Sequence, residues 1–141
     1  MKILGVDFGE VRTGVAVSDV LEITAQGVET VYGRNPEKVA EKVAKIAVAQ
    51  HAELIVVGLP KNMDNSVGFR GEASIEFAQL LRSRVSCEVI MWDERLSTVS
   101  AIRTLNETNT RGEKRKAVVD TVAACIILQN YLDYKGRQKN E

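Results

Sequence analysis

The sequence predicts an α/β fold: a mixed five-stranded sheet, antiparallel through its first three strands and parallel thereafter, with helices on both faces. Two short apolar runs, ILGVDF at 3–8 and GVAVS at 14–18, flank the polar break GEVR and suggest a hairpin. Two later runs, LIVVG at 54–58 and VIMW at 89–92, are apolar without alternation, the pattern of strands buried on both faces. Helical periodicity precedes and follows each of these later runs. Strands alternating with helices imply parallel pairing, whereas the hairpin implies antiparallel pairing, and a mixed sheet satisfies both.

The elements follow in order. Residues 22–31 hold a weaker third strand candidate, after which Gly33-Arg34-Asn35-Pro36 punctuates the chain. Asn35 as N-cap with Pro36 at the first helical position opens a helix through about Ala49. Its apolar residues Val39, Ala40, Val43, Ala44, Ile46 and Ala47 recur at helical spacing. The strand at 54–58 is closed by Leu59-Pro60. A polar loop with the turn formers Asn62, Asp64 and Asn65 then reaches Gly71, which precedes a second helical stripe of Ala73, Phe77, Leu80 and Leu81. Beyond VIMW, a helix is expected from Leu96 to about Leu105, a polar loop over 106–112, and a last helix from Glu113 to about Tyr134, ending near Gly136. One domain therefore spans 1–134, and the basic tail 135–141 is expected to be disordered.

The 141 residues suffice to bury roughly two-thirds of the unfolded surface. With 45% hydrophobic and 27% charged residues the composition is that of a globular protein, and the formal net charge is zero. No global basic field exists, so any nucleic-acid binding must use a local patch. The chain enters its first strand without a signal-like segment, and no run approaches the ~20 apolar residues of a membrane span. A cytoplasmic protein without a membrane partner is expected. Cys87 and Cys125 match neither CxxC nor zinc spacing and read as buried free thiols, while His51, the only histidine, reads as solvent-facing.

Three acids stand out against apolar surroundings. Asp7 lies within ILGVDFG, Glu94 directly follows VIMWD at the end of a predicted parallel strand, and Asp120 interrupts AVVDTVAACIILQNYL. A buried carboxylate is costly unless it is paired, hydrogen-bonded or metal-bound, and ligands of open α/β sheets gather at the carboxyl ends of the strands. Ala123 and Ala124, one turn beyond Asp120, would let the last helix approach the sheet closely. Two carboxylates ~4 Å apart repel by about 4 kcal/mol at an effective dielectric of roughly 20, so a cation or a proton must compensate them. Oxygen-only ligation favours Mg²⁺ or Mn²⁺ over zinc. Such ions can activate water and stabilise a leaving oxygen in phosphoryl displacement. Taken singly, each acid also has a structural reading: a turn residue at Asp7, an ion pair of Glu94 with Arg95 or Arg103, a hydrogen-bonded acid at Asp120.

Candidate phosphate contacts cluster in three places. Gly9 and Gly14 bracket the hairpin that carries Arg12 and Thr13, although an ordinary turn explains them equally well. Lys61 and Arg70 flank the second loop. In RGEKRK, Arg111 precedes Lys114, Arg115 and Lys116, which crowd the first turn of the last helix, where the macrodipole disfavours cations. That broken local preference suggests a strand-binding patch. Arg95 stands beside Glu94 and could steady it or a scissile phosphate. Trp92 reads as core.

Four motifs in order, GVDFGEVRTGVAVSD (5–19), VVGLPKNMDNSVGFRG (56–71), WDERLST (92–98) and KAVVDTVAACIILQNYL (116–132), resemble the YqgF/RuvX family. That family is described both as Holliday-junction resolvases and as nucleases of pre-16S ribosomal RNA. The resemblance covers nearly the whole chain. It implies a ribonuclease-H-like fold, a cytoplasmic metal-dependent nuclease, and catalytic acids at Asp7, Glu94 and Asp120. It further implies precursor ribosomal RNA as the substrate and ribosomal particles as partners, with branched DNA cut by a homodimer as the alternative. Lys61, Asn65, Val67 and Phe69 depart from the leucine, glycine, acid and proline expected in the second motif. DFGEVRTGVAV also resembles the phosphate hairpin of the actin and hexokinase ATPases, but those proteins close two such domains around a nucleotide. A non-catalytic RNA-binding factor is the further alternative, and it would tolerate amides in place of the acids.

Overall fold

The apolar runs become β1 (Lys2–Asp7), β2 (Arg12–Ser18), β4 (Ala52–Leu59) and β5 (Glu88–Asp93), and the weaker candidate becomes β3 (Ala25–Tyr32). The helices are α1 (Pro36–Ala49), α2 (Phe69–Arg82) and α3 (Glu113–Lys139), and a 3-10 turn, Glu94–Leu96, follows β5. This computed structural model describes residues 1–62, 64–96 and 113–139, with side chains for these except 96, 113–120 and 139. The expected helix over 96–105 extends, and the loop over 106–112 falls, beyond the described residues.

The sheet order is β3-β2-β1-β4-β5. β1 pairs antiparallel with β2, and β2 with β3, while β1–β4 and β4–β5 are parallel. The mixed sheet expected from the hairpin and the later βα units is therefore the one observed. Central β1 and β4 are almost wholly buried, which is why their sequences do not alternate. β3 lies at the edge with exposed positions along its length, and this accounts for its weaker pattern.

Alternate residues of the strands build two cores. Leu4, Val6, Val15, Ile55 and Val57 pack with α1 and α2 through Val39, Val43, Phe77 and Leu81. On the opposite face Ile3, Ala16, Leu54 and Val56 meet Ala124, Ile127 and Leu128 of α3. The close approach foreseen from Ala123 and Ala124 is present. A Cβ on Gly5 would lie 2.6 Å from Leu128 Cβ and 3.1 Å from the Ala124 carbonyl oxygen. Small residues on both surfaces thus seat α3 directly on β1.

α1 begins as expected: the Asn35 side chain accepts hydrogen bonds from the Glu37 and Lys38 amides at 3.0 and 3.4 Å, with Pro36 next. α2 begins earlier than expected, at Phe69, so Gly71 sits inside its first turn instead of before it. A Cβ on Gly71 would lie 2.6 Å from the Pro60 carbonyl oxygen, so glycine serves close approach here and not helix termination. α3 runs past Gly136 to Lys139, beyond the expected end and into the segment expected to be disordered. Gln129 accepts from the Ala25 amide at 3.0 Å and donates to the Ile23 carbonyl at 2.8 Å, and Lys135 pairs with Glu22 at 2.6 Å. Those contacts anchor its last turns, and an established helix carries a glycine at a cost of about 1 kcal/mol.

His51 is exposed, as expected. Cys87 and Cys125 are free but half-buried, and burial raises both thiol pKa values above the ordinary range. Trp92 packs into the α3-side core, 5.5 Å from Tyr131 in an edge arrangement.

Candidate functional site

Asp7 ends β1, one residue beyond the register pair Val6↔Val57, so it stands beside Gly58 of β4. Strand alternation puts Asp7 on the face of Ile3 and Gly5, beneath α3, and Gly58 on the face of Leu54 and Val56, also beneath α3. Glu94 is delivered to the same place by the 3-10 turn at the end of β5, the strand beyond β4. A Cβ on Gly58 would lie 2.7 Å from Glu94 Oε1 and 2.5 Å from Ile127 Cδ1. Gly58 is therefore the floor over which the Glu94 carboxylate lies. Asp7 is 7% exposed and Glu94 3% exposed, so two carboxylates share a nearly closed place at the carboxyl ends of parallel strands. Sequence reading missed Gly58. The available signal was a glycine inside a buried strand, which marks the close approach of another group.

The backbone of α3 brings Asp120 toward the same end of the sheet. Gln129 bonds to Ala25, whereas Thr121 and Cys125 lie against Gly27, so α3 runs antiparallel to β3 and β1. Continuing past Thr121 leads toward Thr30, which pairs with Gly14, which pairs with Asp7. The Asp120 side chain lies outside the described residues, as do those of Lys114, Arg115 and Lys116, and Arg111 does so altogether. Among the described side chains no three His, Cys, Asp or Glu groups gather as a metal cluster.

The β1–β2 hairpin is tight. A Cβ on Gly9 would fall 2.2 Å from the Arg12 carbonyl oxygen. Thr13, expected as a phosphate contact, is fully buried, and its hydroxyl accepts from the Gly9 amide at 3.5 Å. It braces the turn from inside and is not a surface contact, a correction that follows from its place inside the sheet. Arg12 is half-buried at the start of β2.

The loop after β4 folds on its own polar side chains. The Asn62 amide donates to the Ser66 carbonyl at 2.9 Å, and the Ser66 amide donates to Asp64 Oδ1 at 3.0 Å. Asn65 takes φ +73°, a left-handed conformation in which asparagine is the least strained replacement for glycine. The departure from the family's glycine is thus absorbed locally. Arg95 ties this loop to β5. Its guanidinium donates to the Asn65 side chain at 2.8 Å, to the Asn62 carbonyl at 3.3 Å, and to both oxygens of Asp93, the closest at 2.7 Å. Arg95, expected to face phosphate or Glu94, instead pairs with Asp93 and pins the turn that presents Glu94. Lys61 is half-buried nearby and Arg70 is exposed on α2.

Hydrogen bonds from Arg95 hold the Asp93 carboxyl below the ordinary carboxylate range. A depressed folded-state pKa stabilises above the unfolded value and loses that contribution as pH falls through the folded value. Limited proteolysis within 61–68 should therefore stay slow at neutral pH and accelerate only below about pH 4. The Arg95→Ala variant should be cleaved rapidly already at pH 7. Equal protection in the two proteins would show that this latch does not hold the loop.

A five-stranded mixed sheet with this order, flanked by helices on both faces and carrying acids at the carboxyl ends of central β1 and edge β5, defines a ribonuclease-H-like domain. Residues 1–134 match the sequence model of RuvX, described as Holliday junction resolvase, and the chain belongs to that family. It is 50% identical to the "Putative pre-16S rRNA nuclease" of Agathobacter rectalis over 143 residues, covering 99% of this chain and all of that one. Identity is 47% to the protein of the same name from Acetivibrio thermocellus, covering 97% and 99% of the two chains. Among solved structures, Thermus thermophilus RuvC in complex with a Holliday junction substrate aligns with a TM-score of 0.60 at 12% identity, over 96% of each chain. Fowlpox virus resolvase with Holliday junction DNA aligns with a TM-score of 0.50 at 13% identity, over 95% and 98%. At such identities these structures bear on the fold alone.

Proposed function

We propose that the chain is a nuclease that hydrolyses phosphodiester bonds with Mg²⁺ or Mn²⁺, and that its substrate is precursor 16S ribosomal RNA. The observation that carries this is the pair of buried carboxylates, Asp7 and Glu94, at the side-chain-free floor of Gly58. The naming of relatives at 47–50% identity supports the RNA substrate. The donors are carboxylate oxygens, a set suited to a hard divalent ion and unsuited to zinc. Asp7 and Glu94 would hold it, with Asp120 completing the set from α3. When bound, the ion supplies charge compensation, water activation and stabilisation of the leaving oxygen.

The chain's own residues do the positioning. β1 fixes Asp7, and the Arg95–Asp93 pair fixes the turn bearing Glu94. Arg12, Lys61, Arg70 and the basic run Arg111–Lys116 grip the strand's phosphates, a local patch on a chain of zero net charge. No described helix is long and apolar enough to cross a membrane. The proposed setting is the cytoplasm, on ribosomal particles or their precursors.

The description of the family as resolvases favours a second reading, symmetric nicking of branched DNA by a homodimer. Cleavage of precursor 16S RNA and of four-way DNA junctions, each with Mn²⁺, Mg²⁺ or chelator, decides between them, with size-exclusion chromatography alongside. Metal-dependent trimming of RNA is expected. Paired nicks in junction DNA with RNA left intact would establish the second reading, and no cleavage of either would overturn both.

A further inference from the structure

Phe69 occupies the first position of α2 and is 85% exposed. Nothing local calls for an aromatic residue there: the position suits proline, and a ring left in water forgoes the stabilisation of burial. The ring borders a cavity of about 230 Å³ whose apolar lining also includes Phe8, Pro36 and Ala73. This is smaller than the roughly 300–1,000 Å³ of pockets that enclose whole small molecules, and it suits one flat ring. Phe8 is held rigid by stacking on Phe77, with centroids 4.4 Å apart and planes 14° apart. The rim carries Arg34 and Arg70 against Glu10, a net positive edge. Phe8 directly follows Asp7 at the carboxyl end of β1, but its side chain packs on the α1–α2 side of the sheet, so the cavity and the carboxylate pair share that end of the sheet on opposite faces.

We propose that Phe69 is a stacking platform for one unpaired nucleobase of the substrate strand, with Arg34 and Arg70 at the flanking phosphates. Aromatic faces bind bases of any sequence, and adjacent guanidiniums hold the backbone that connects them. This rests on the nuclease reading and narrows it: the strand is single where it rounds the end of the sheet beside the acids.

The test is binding by the full chain in chelator, where no cleavage occurs. The probe is a single-stranded oligoribonucleotide of about ten nucleotides carrying one 2-aminopurine, alone and annealed to its complement. Wild type should quench the probe and prefer the single strand. Phe69→Ala should abolish the quench and weaken single-strand affinity about tenfold, the size of one lost base–aromatic stack. Phe69→Trp should retain both, and the Ala variant should melt as wild type because the ring is exposed. Unchanged affinity and quench in Phe69→Ala would overturn the platform. So would full retention by Phe69→Leu, or Phe69-dependent self-association with oligonucleotide affinity unaltered. Metal-dependent cleavage abolished by Asp7→Asn beside an inert Phe69→Ala would sink the platform alone. A Phe69-dependent quench in a protein that cleaves nothing would sink the nuclease reading and leave the platform standing.

Discussion

Asp7→Asn should lower metal-dependent cleavage by roughly a hundredfold or more, since losing several kcal/mol of transition-state charge stabilisation costs a factor of ten per 1.36 kcal/mol. Glu94→Gln should do the same, because both carboxylates are buried at the same strand ends. Stability should move the other way. Without metal, the wild type confines two carboxyl groups at one place, and an amide at either removes the repulsion that ionising both would create. In chelator each amide variant should therefore melt no lower than wild type. On addition of Mn²⁺ the wild type alone should gain melting temperature, by linkage to binding. The two readouts separate a metal site from a structural ion pair. Removing one partner of a structural pair would leave a buried unpaired charge and destabilise the protein strongly, by about 3–5 kcal/mol. Full activity in either variant would remove that acid from the site.

The acids were legible because a carboxylate inside an apolar run has few inexpensive explanations. Asp7 in ILGVDFG and Glu94 after VIMWD announced themselves one strand at a time. What the sequence could not show was their common floor. Gly58 meets Asp7 only because β4 inserts beside β1, and that adjacency depends on strand order, which no local pattern encodes. Local chemistry placed α1 correctly through Asn35 and Pro36, whereas the start of α2 was misplaced for an identifiable reason. Its first turn, Phe69–Glu72, offers Phe69 as its one large apolar side chain ahead of the stripe that begins at Ala73, and Gly71 reads as a breaker unless the nearby Pro60 carbonyl is known. Thr13 and Arg95 show the limit for polar residues. Thr13 reads as a phosphate contact and Arg95 as steadying Glu94 or a phosphate, yet one is enclosed by the sheet and the other is engaged by Asp93. A polar side chain does not record in sequence which of several partners it takes.

Gly58→Ala should separate activity from stability. The strand conformation of Gly58 admits an L side chain, so the methyl group meets obstruction and not backbone strain. The obstruction is Ile127 Cδ1 at 2.5 Å and Glu94 Oε1 at 2.7 Å, both far ends of flexible side chains. Each can yield, at a cost of order 1 kcal/mol for local overpacking. Catalysis tolerates such movement far less: a carboxylate displaced by about 1 Å costs about a hundredfold in rate. The Ala variant should thus fold normally, lose most of its cleavage activity and lose its metal-induced rise in melting temperature. Gly5→Ala is the matching control. Its methyl would strike Leu128 Cβ at 2.6 Å and the Ala124 carbonyl at 3.1 Å, atoms that cannot move without shifting α3 itself. That variant should lose about 1–3 kcal/mol of stability, measured by urea denaturation. If Gly58→Ala instead cleaves at the wild-type rate, the bare floor at Gly58 is not what holds the Glu94 carboxylate where the reaction needs it.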